Sequence, residues 1–141
     1  MVNMTEHLTE NPKNFVFPKE EKLKSKKLFE QLFTEGKSIT TFPVKLLYTN
    51  ADFDDDVHIK VGVVAPKKKF RNAIKRNRVK RLLREGYRLN KHLVFNNIEG
   101  NFAFLFLYLG GKMPNYQEVD RAIKQLLETF LKKQSHEKID Q

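Results

Sequence analysis

An α+β domain built on a small sheet is what this sequence predicts, and three observations predict it. Two runs with apolar residues at alternate positions, Phe42 to Thr49 and Val57 to Ala65, read as strands. A third run, Phe102 to Leu109 (FAFLFLYL), is apolar on both alternate sets, as a strand covered on both faces must be. Amphipathic stretches around Leu28, Leu83 and Leu126 supply the helices that cover such a sheet.

The chain has 141 residues, enough for one core. Residues 1–14 are polar and unpatterned and are expected to be disordered. A single domain is expected over 15–134, and a frayed tail over 135–141. Ser25 has the chemistry of an N-cap for a first helix running to about Glu35, with Gly36 as its stop. Leu28, Phe29, Leu32 and Phe33 give that helix its apolar side.

In the first strand run, Val44, Leu46 and Tyr48 share one face, and Pro43 places its start at an edge. In the second, Val57, Ile59, Val61, Val63 and Ala65 alternate with His58, Lys60, Gly62 and Val64. Asn50 to Asp56 joins the two, which predicts a hairpin. Its Asp52, Asp54, Asp55 and Asp56 lack the turn glycine and distal Glu of a calcium loop, so a solvated tip is expected. Pro66 ends the second run, and a helix begins near Asn72. After the FAFLFLYL strand, Asn115 with Glu118 three residues on forms a capping-box signature. Val119, Ala122, Ile123, Leu126, Leu127 and Phe130 then make the buried stripe of a last helix. The second strand, the helix after it and the FAFLFLYL strand make a βαβ crossover.

The stretch Lys67 to Lys91 sets the electrostatics. It holds 12 Lys or Arg and one acid, Glu85, a formal charge of +11. The whole chain is +10, so the remainder is close to neutral. At helical periodicity Val79, Leu82, Leu83, Gly86, Leu89 and Leu93 fall on one side. Asn77, Lys80, Arg81, Arg84, Arg88 and Lys91 fall opposite, with Arg76 and Tyr87 at the flank and Arg78 near the apolar edge. A merely solvated face mixes signs for i,i+4 pairing. Here one sign dominates, and the like charges repel unless a polyanion neutralises them. This is the footprint of a nucleic-acid binder.

At these residues the chain resembles the protein component of bacterial ribonuclease P. The match lies in Arg76-Asn77-Arg78-Val79-Lys80-Arg81 followed by Leu82-Leu83-Arg84-Glu85. The Lys67-Lys68 pair and Asn72-Ala73 precede it. The resemblance runs from about Leu23 to the last helix. Many members have glycine just before Asn72; Arg71 stands there here and reads as a further phosphate contact.

The resemblance implies an α-β-β-β-α-β-α order with a small mixed sheet, a short extra strand near Ser38 and a left-handed crossover through the basic helix. It also implies an accessory subunit of a ribonucleoprotein endoribonuclease that removes 5′ leaders from precursor tRNA. The partners are then the catalytic RNA and precursor tRNA, with Mg2+ held mainly by RNA phosphates. Lys67, Lys68, Lys69, Arg71, Arg76, Asn77, Arg78, Lys80, Arg81, Arg84 and Arg88 become the RNA-binding set. In the family, phenylalanines matching Phe29 and Phe33 line a cleft for the single-stranded leader, where aromatic faces stack on unpaired bases. Tyr48 is assigned to the same cleft. On the residues alone, a core role for Phe29 and Phe33 is favoured over a cleft.

Two other classes fit less well. A DNA-binding helix-turn-helix needs a partner helix immediately before its basic helix, whereas a strand run and Pro66 precede this one. A self-sufficient metal nuclease needs clustered carboxylates or imidazoles, and the acids cluster on the expected loop tip while His7, His58, His92 and His136 are scattered. Cys is absent, no apolar run is long enough to span a bilayer, and the N-terminus lacks a signal-peptide pattern. A cytoplasmic setting is expected, with neither a membrane nor a small-molecule substrate as partner.

Overall fold

The structure is a computed structural model and describes residues 17–95 and 97–140, with 136–140 as backbone only. The N-terminal stretch 1–14 lies outside the described residues. In chain order the elements are α1 (Lys26–Glu35), β1 (Lys37–Thr41), β2 (Val44–Asn50), β3 (Ile59–Val64), α2 (Ala73–Asn90), a short α3 (His92–Phe95), β4 (Phe102–Tyr108) and α4 (Tyr116–Asp140). Among the described residues, a 3-10 turn, Lys19–Glu21, precedes them. The α+β class and the mixed sheet are as expected. The first strand near Ser38 is present as β1. α4 continues to Asp140, past the point near Ser135 where fraying is expected.

The four strands lie in the order β1-β2-β4-β3. β1 and β2 form the antiparallel hairpin, turning at Phe42-Pro43. β2 pairs antiparallel with β4, and β3 pairs parallel with β4. The expected hairpin between β2 and β3 is therefore not formed, because β4 lies between them. The reason is in β4 itself: with Phe102, Ala103, Phe104, Leu105 and Phe106 all buried, it needs cover on both faces and a neighbour on both edges. The connector from β2 to β3 passes over the start of β4. There Ala51 N–H donates to the Asn101 carbonyl at 3.0 Å, and Phe102 N–H donates to the His58 carbonyl at 2.8 Å.

α2 and α4 cover one face of the sheet and α1 covers the other. The larger core joins Val44, Leu46 and Tyr48 of β2, Ile59 and Val61 of β3 and Phe102, Phe104 and Phe106 of β4 to the buried sides of α2 and α4. Phe130 of α4 is its hub. Its ring stands edge-on to Tyr48, Phe102 and Phe104 at 5.0, 5.1 and 4.9 Å. Truncating such a ring to Ala costs about 3–5 kcal/mol. The smaller core, on the α1 side, joins Leu23 and Leu32 to Leu47, Ala103 and Leu105.

Asn115 Oδ1 accepts from Glu118 N–H at 2.8 Å and starts α4 where the capping box places it. All six residues of its expected stripe are buried.

Candidate RNA interface

The basic helix α2 starts where Asn72 satisfies its first free backbone donors. Asn72 Oδ1 accepts from Ile74 N–H at 2.7 Å and from Lys75 N–H at 3.3 Å. Val79, Leu83, Gly86, Tyr87 and Asn90 are buried. Leu82 and Leu89, expected fully inside, are half-buried. Gly86 lets α2 approach α4 closely, since a Cβ there would stand 2.8 Å from Ile123 Cδ1.

Tyr87, expected at the flank, is fully buried between Phe17 and Phe106, with ring centroids at 5.6 and 5.8 Å. Burial pushes its hydroxyl well above the usual tyrosine range, and the Glu21 carboxylate adds to the shift.

The side opposite the stripe is cationic and open. Lys67, Lys68, Lys69, Arg71, Asn77, Arg78, Arg81 and Arg84 are exposed, while Arg76, Lys80 and Arg88 are half-buried. Arg76 also has structural work. Its guanidinium donates to the Phe70 and Arg71 carbonyls, both at 2.9 Å, and so fixes the turn that enters the helix.

Glu85, the one acid of the stretch, is engaged by Arg88, whose Nε donates to Oε2 at 3.1 Å and whose Nη2 reaches Oε1. That hydrogen bond holds the Glu85 carboxyl below its ordinary value and raises the Arg88 guanidinium in turn. The rest of the face carries positive charge without an acid of its own helix to offset it.

Lys91 does not belong to this face. Its ammonium is buried, donates to Glu21 Oε1 at 2.9 Å and sits 4.7 Å from the Phe95 ring centroid. Helical periodicity sets it opposite the apolar stripe, but the lead segment before α1 covers that flank. Phe17 packs on Tyr87, Glu21 meets Lys91, and Leu23 N–H donates to the Val61 carbonyl at 2.9 Å. Burial raises the Glu21 carboxyl, against the opposing pull of the Lys91 hydrogen bond and charge.

On the far face of the sheet, Ser25 Oγ caps α1 by accepting from Leu28 N–H at 3.2 Å. Leu32 is its buried anchor. Phe29 is half-buried against the smaller core, and Phe33 is 55% exposed. An exposed and a half-buried ring one helical turn apart give α1 an aromatic ledge beside the sheet.

Tyr48 is not part of it. Strand alternation sends Leu47 towards α1 and Tyr48 to the opposite face, where it is 3% exposed and packs on Phe130. Gly62 of β3 is the position the sequence reading missed: it lies directly beneath the Phe29 ring. A lone glycine inside a strand run is the signal for such a close approach.

At the acidic connector, Asp55 pairs with Lys60 at 2.9 Å, and that hydrogen bond holds its carboxyl below the ordinary value. Among the described residues no group of three or more His, Asp or Glu is placed to hold a metal ion. Nor is any helix among them long and apolar enough to cross a membrane.

A sequence profile of the family described as "Ribonuclease P" matches residues 17–131. A ribonuclease P protein component of Porphyromonas gingivalis is 33% identical over 120 residues, covering 83% of this chain and 88% of that protein. The protein component of Clostridioides difficile is 30% identical over 108 residues, covering 74% and 87%. Among solved structures, the RNase P protein of Thermotoga maritima aligns with a TM-score of 0.54 at 26% identity, over 80% of this chain and 96% of that one. The Staphylococcus aureus RNase P protein aligns at 0.61 and 19% identity, over 77% and 94%, a likeness of fold.

Proposed function

The chain belongs to the ribonuclease P protein family, and on that premise we propose that it binds the catalytic RNA of a ribonuclease P and the 5′ leader of precursor tRNA, promoting endonucleolytic 5′ maturation. The observation that carries this is the exposed face of α2. Asn77, Arg78, Arg81 and Arg84, with Lys67–Lys69 and Arg71 before them, form one surface of nearly uniform sign whose single local acid is held by Arg88. Such a surface binds a phosphate backbone through counterion release. The ledge of Phe29 and Phe33, on the other side of the sheet, is the surface for unpaired leader bases.

The chemistry falls to the RNA. Phosphodiester hydrolysis needs a generated nucleophile and stabilised charge on the leaving oxygen, commonly through metal ions. On this reading the Mg2+ that supplies this chemistry is held mainly by RNA phosphates, as the family resemblance implies. Cations on α2 stabilise bound phosphate to a similar degree before and during the reaction, which strengthens binding more than it speeds the chemical step. A helix-turn-helix reading loses its partner helix, since α1 packs on the opposite face of the sheet from α2.

The deciding experiment incubates labelled precursor tRNA at low magnesium with the protein, with a bacterial ribonuclease P RNA, and with both. Leader removal restored only in the third tube is expected. Specific cleavage by nuclease-free protein alone would overturn the accessory role.

A further inference from the structure

One end of the sheet joins the basic loop before α2 to features that neither α2 nor the α1 ledge uses. Val44, at the start of β2, pairs with Tyr108 at the end of β4, and Val64, at the end of β3, pairs with Leu107. This register brings three connections together: the β1–β2 turn with Phe42, the Lys67–Arg71 loop, and the turn after β4 with Lys112. They are tied to one another. Leu109 N–H donates to the Pro43 carbonyl at 2.7 Å, and the Tyr108 hydroxyl donates to the Lys112 carbonyl at 2.8 Å. The Phe70 ring, from the basic loop, packs on Tyr108 with centroids 5.8 Å apart.

Between these turns and the first turns of α4 lies an open depression of about 630 Å³, walled by Phe42, Pro43, Tyr108 and Met113 with Lys112 and Arg121 beside them. Phe42 is 73% exposed, the largest exposure of any described aromatic, and Met113 is 36% exposed. Both cations are exposed, and neither is in a salt bridge among the described residues. The volume is in the range of small-ligand sites, about 300–1,000 Å³. A flat apolar ring at the rim, a thioether in the same lining and two nearby cations match one ligand chemistry: an aromatic base carrying a phosphate.

Resting on the family reading above, we propose that this depression receives an unpaired nucleotide of the catalytic RNA, its base against Phe42 and Met113 and its phosphate at Lys112 and Arg121. Glu118, on the same wall, opposes a second phosphate and offers an acceptor to a base amino group. The catalytic RNA is the source because the site runs on from the cationic loop through the Phe70–Tyr108 contact. The leader ledge on α1 lies across the sheet from α4, which contributes Arg121 here.

The test titrates a bacterial ribonuclease P RNA with the wild-type protein and with Phe42→Ala, Phe42→Trp, Lys112→Ala and Arg121→Ala across a salt series. Thermal melts of each variant run in parallel. Phe42→Ala should weaken binding about 5- to 150-fold, the worth of one stacked base, without changing the salt slope. Phe42→Trp should retain binding, since the stacking face is kept. Each cation variant should instead lower the slope of log K against log salt by roughly 0.7 to 0.9.

Phe42→Ala affinity within twofold of wild type, at an unchanged melting temperature, would overturn the proposal. So would a loss confined to precursor over mature tRNA in the reconstituted complex, because the occupant would then be the leader. Wild-type protein that fails to bind the RNA at all would overturn the proposed RNA-binding function and this proposal together.

Discussion

The ring of Phe29 occupies the space a side chain at Gly62 would need: its Cζ lies 2.7 Å from where a Cβ on that residue would stand, and Leu105 Cδ1 lies at 3.2 Å. The aromatic ledge of α1 is therefore seated against β3 at a position where a Cβ would force the Phe29 ring to move. Gly62→Ala should lift the ring and strain the smaller core. The expected cost is about 1–3 kcal/mol, as for other overpacked sites. Thermal or urea melts measure it. An unchanged stability would mean that the Phe29 ring has room to swing aside without loss.

Phe33 sits on the same helix and buries much less of itself. Phe33→Ala should leave stability within about 0.5 kcal/mol, as for other exposed positions. Affinity for precursor tRNA should fall by about 1–3 kcal/mol more than affinity for mature tRNA if a leader base stacks there. Paired binding of leader-bearing and leaderless tRNA by the reconstituted complex gives the answer. Equal losses on both tRNAs would reject stacking.

On α2, the triple replacement of Lys80, Arg81 and Arg84 by Ala should weaken binding to the catalytic RNA and flatten its salt dependence. Each lost phosphate contact removes roughly 0.7 to 0.9 from the log–log slope. The fold should persist, because these side chains lie away from the buried stripe of Val79, Leu83 and Gly86. A wild-type slope in the triple variant would mean that the face is only solvated.

The Glu21–Lys91 pair predicts a pH dependence of stability. Lys91→Met leaves the Glu21 carboxylate without its partner in a site where that side chain is 12% exposed. The cost near pH 7 should be about 3 kcal/mol, the low end for broken buried pairs. Burial already raises the Glu21 carboxyl above its ordinary value of 4.5, and losing Lys91 removes the two influences that lower it. A carboxyl raised in the folded state binds its proton more tightly there than in the unfolded chain. The variant should therefore be least handicapped below the ordinary carboxylate value and lose ground as pH rises through the raised one. Melts of both proteins from acid to neutral pH test the sign. A deficit that grows towards acid pH would show that Glu21 is not the group responsible.

The sequence carried the cationic face well because uniform sign along a helical period is a local property. The start of α2 at Asn72 and of α4 at Asn115 were equally legible, since each cap is made by the residue itself. What failed was the assignment of faces across the sheet. Alternation in β2 puts Leu47 and Tyr48 on opposite sides, but β4 is apolar on both, so nothing local says which side α1 covers. The β2–β3 pairing failed for a related reason: two adjacent strand runs with a short polar link look alike whether or not a later strand inserts. Lys91 was misplaced because the segment that buries it, Phe17 to Leu23, acts through distant contacts with Tyr87 and Val61 rather than through a pattern of its own.

The insertion of β4 between β2 and β3 also sets a timetable for synthesis. As the chain leaves the ribosome, β1 and β2 can close their hairpin at once, but β3 must wait for its strand partner until the whole basic helix and the loop after it have emerged. During that interval the cationic segment is outside the exit tunnel while the sheet that anchors it is still incomplete. Pairings that wait for such late residues are slow to form and leave strand edges open meanwhile. The nascent domain thus presents its cationic surface before it has a finished core beneath it.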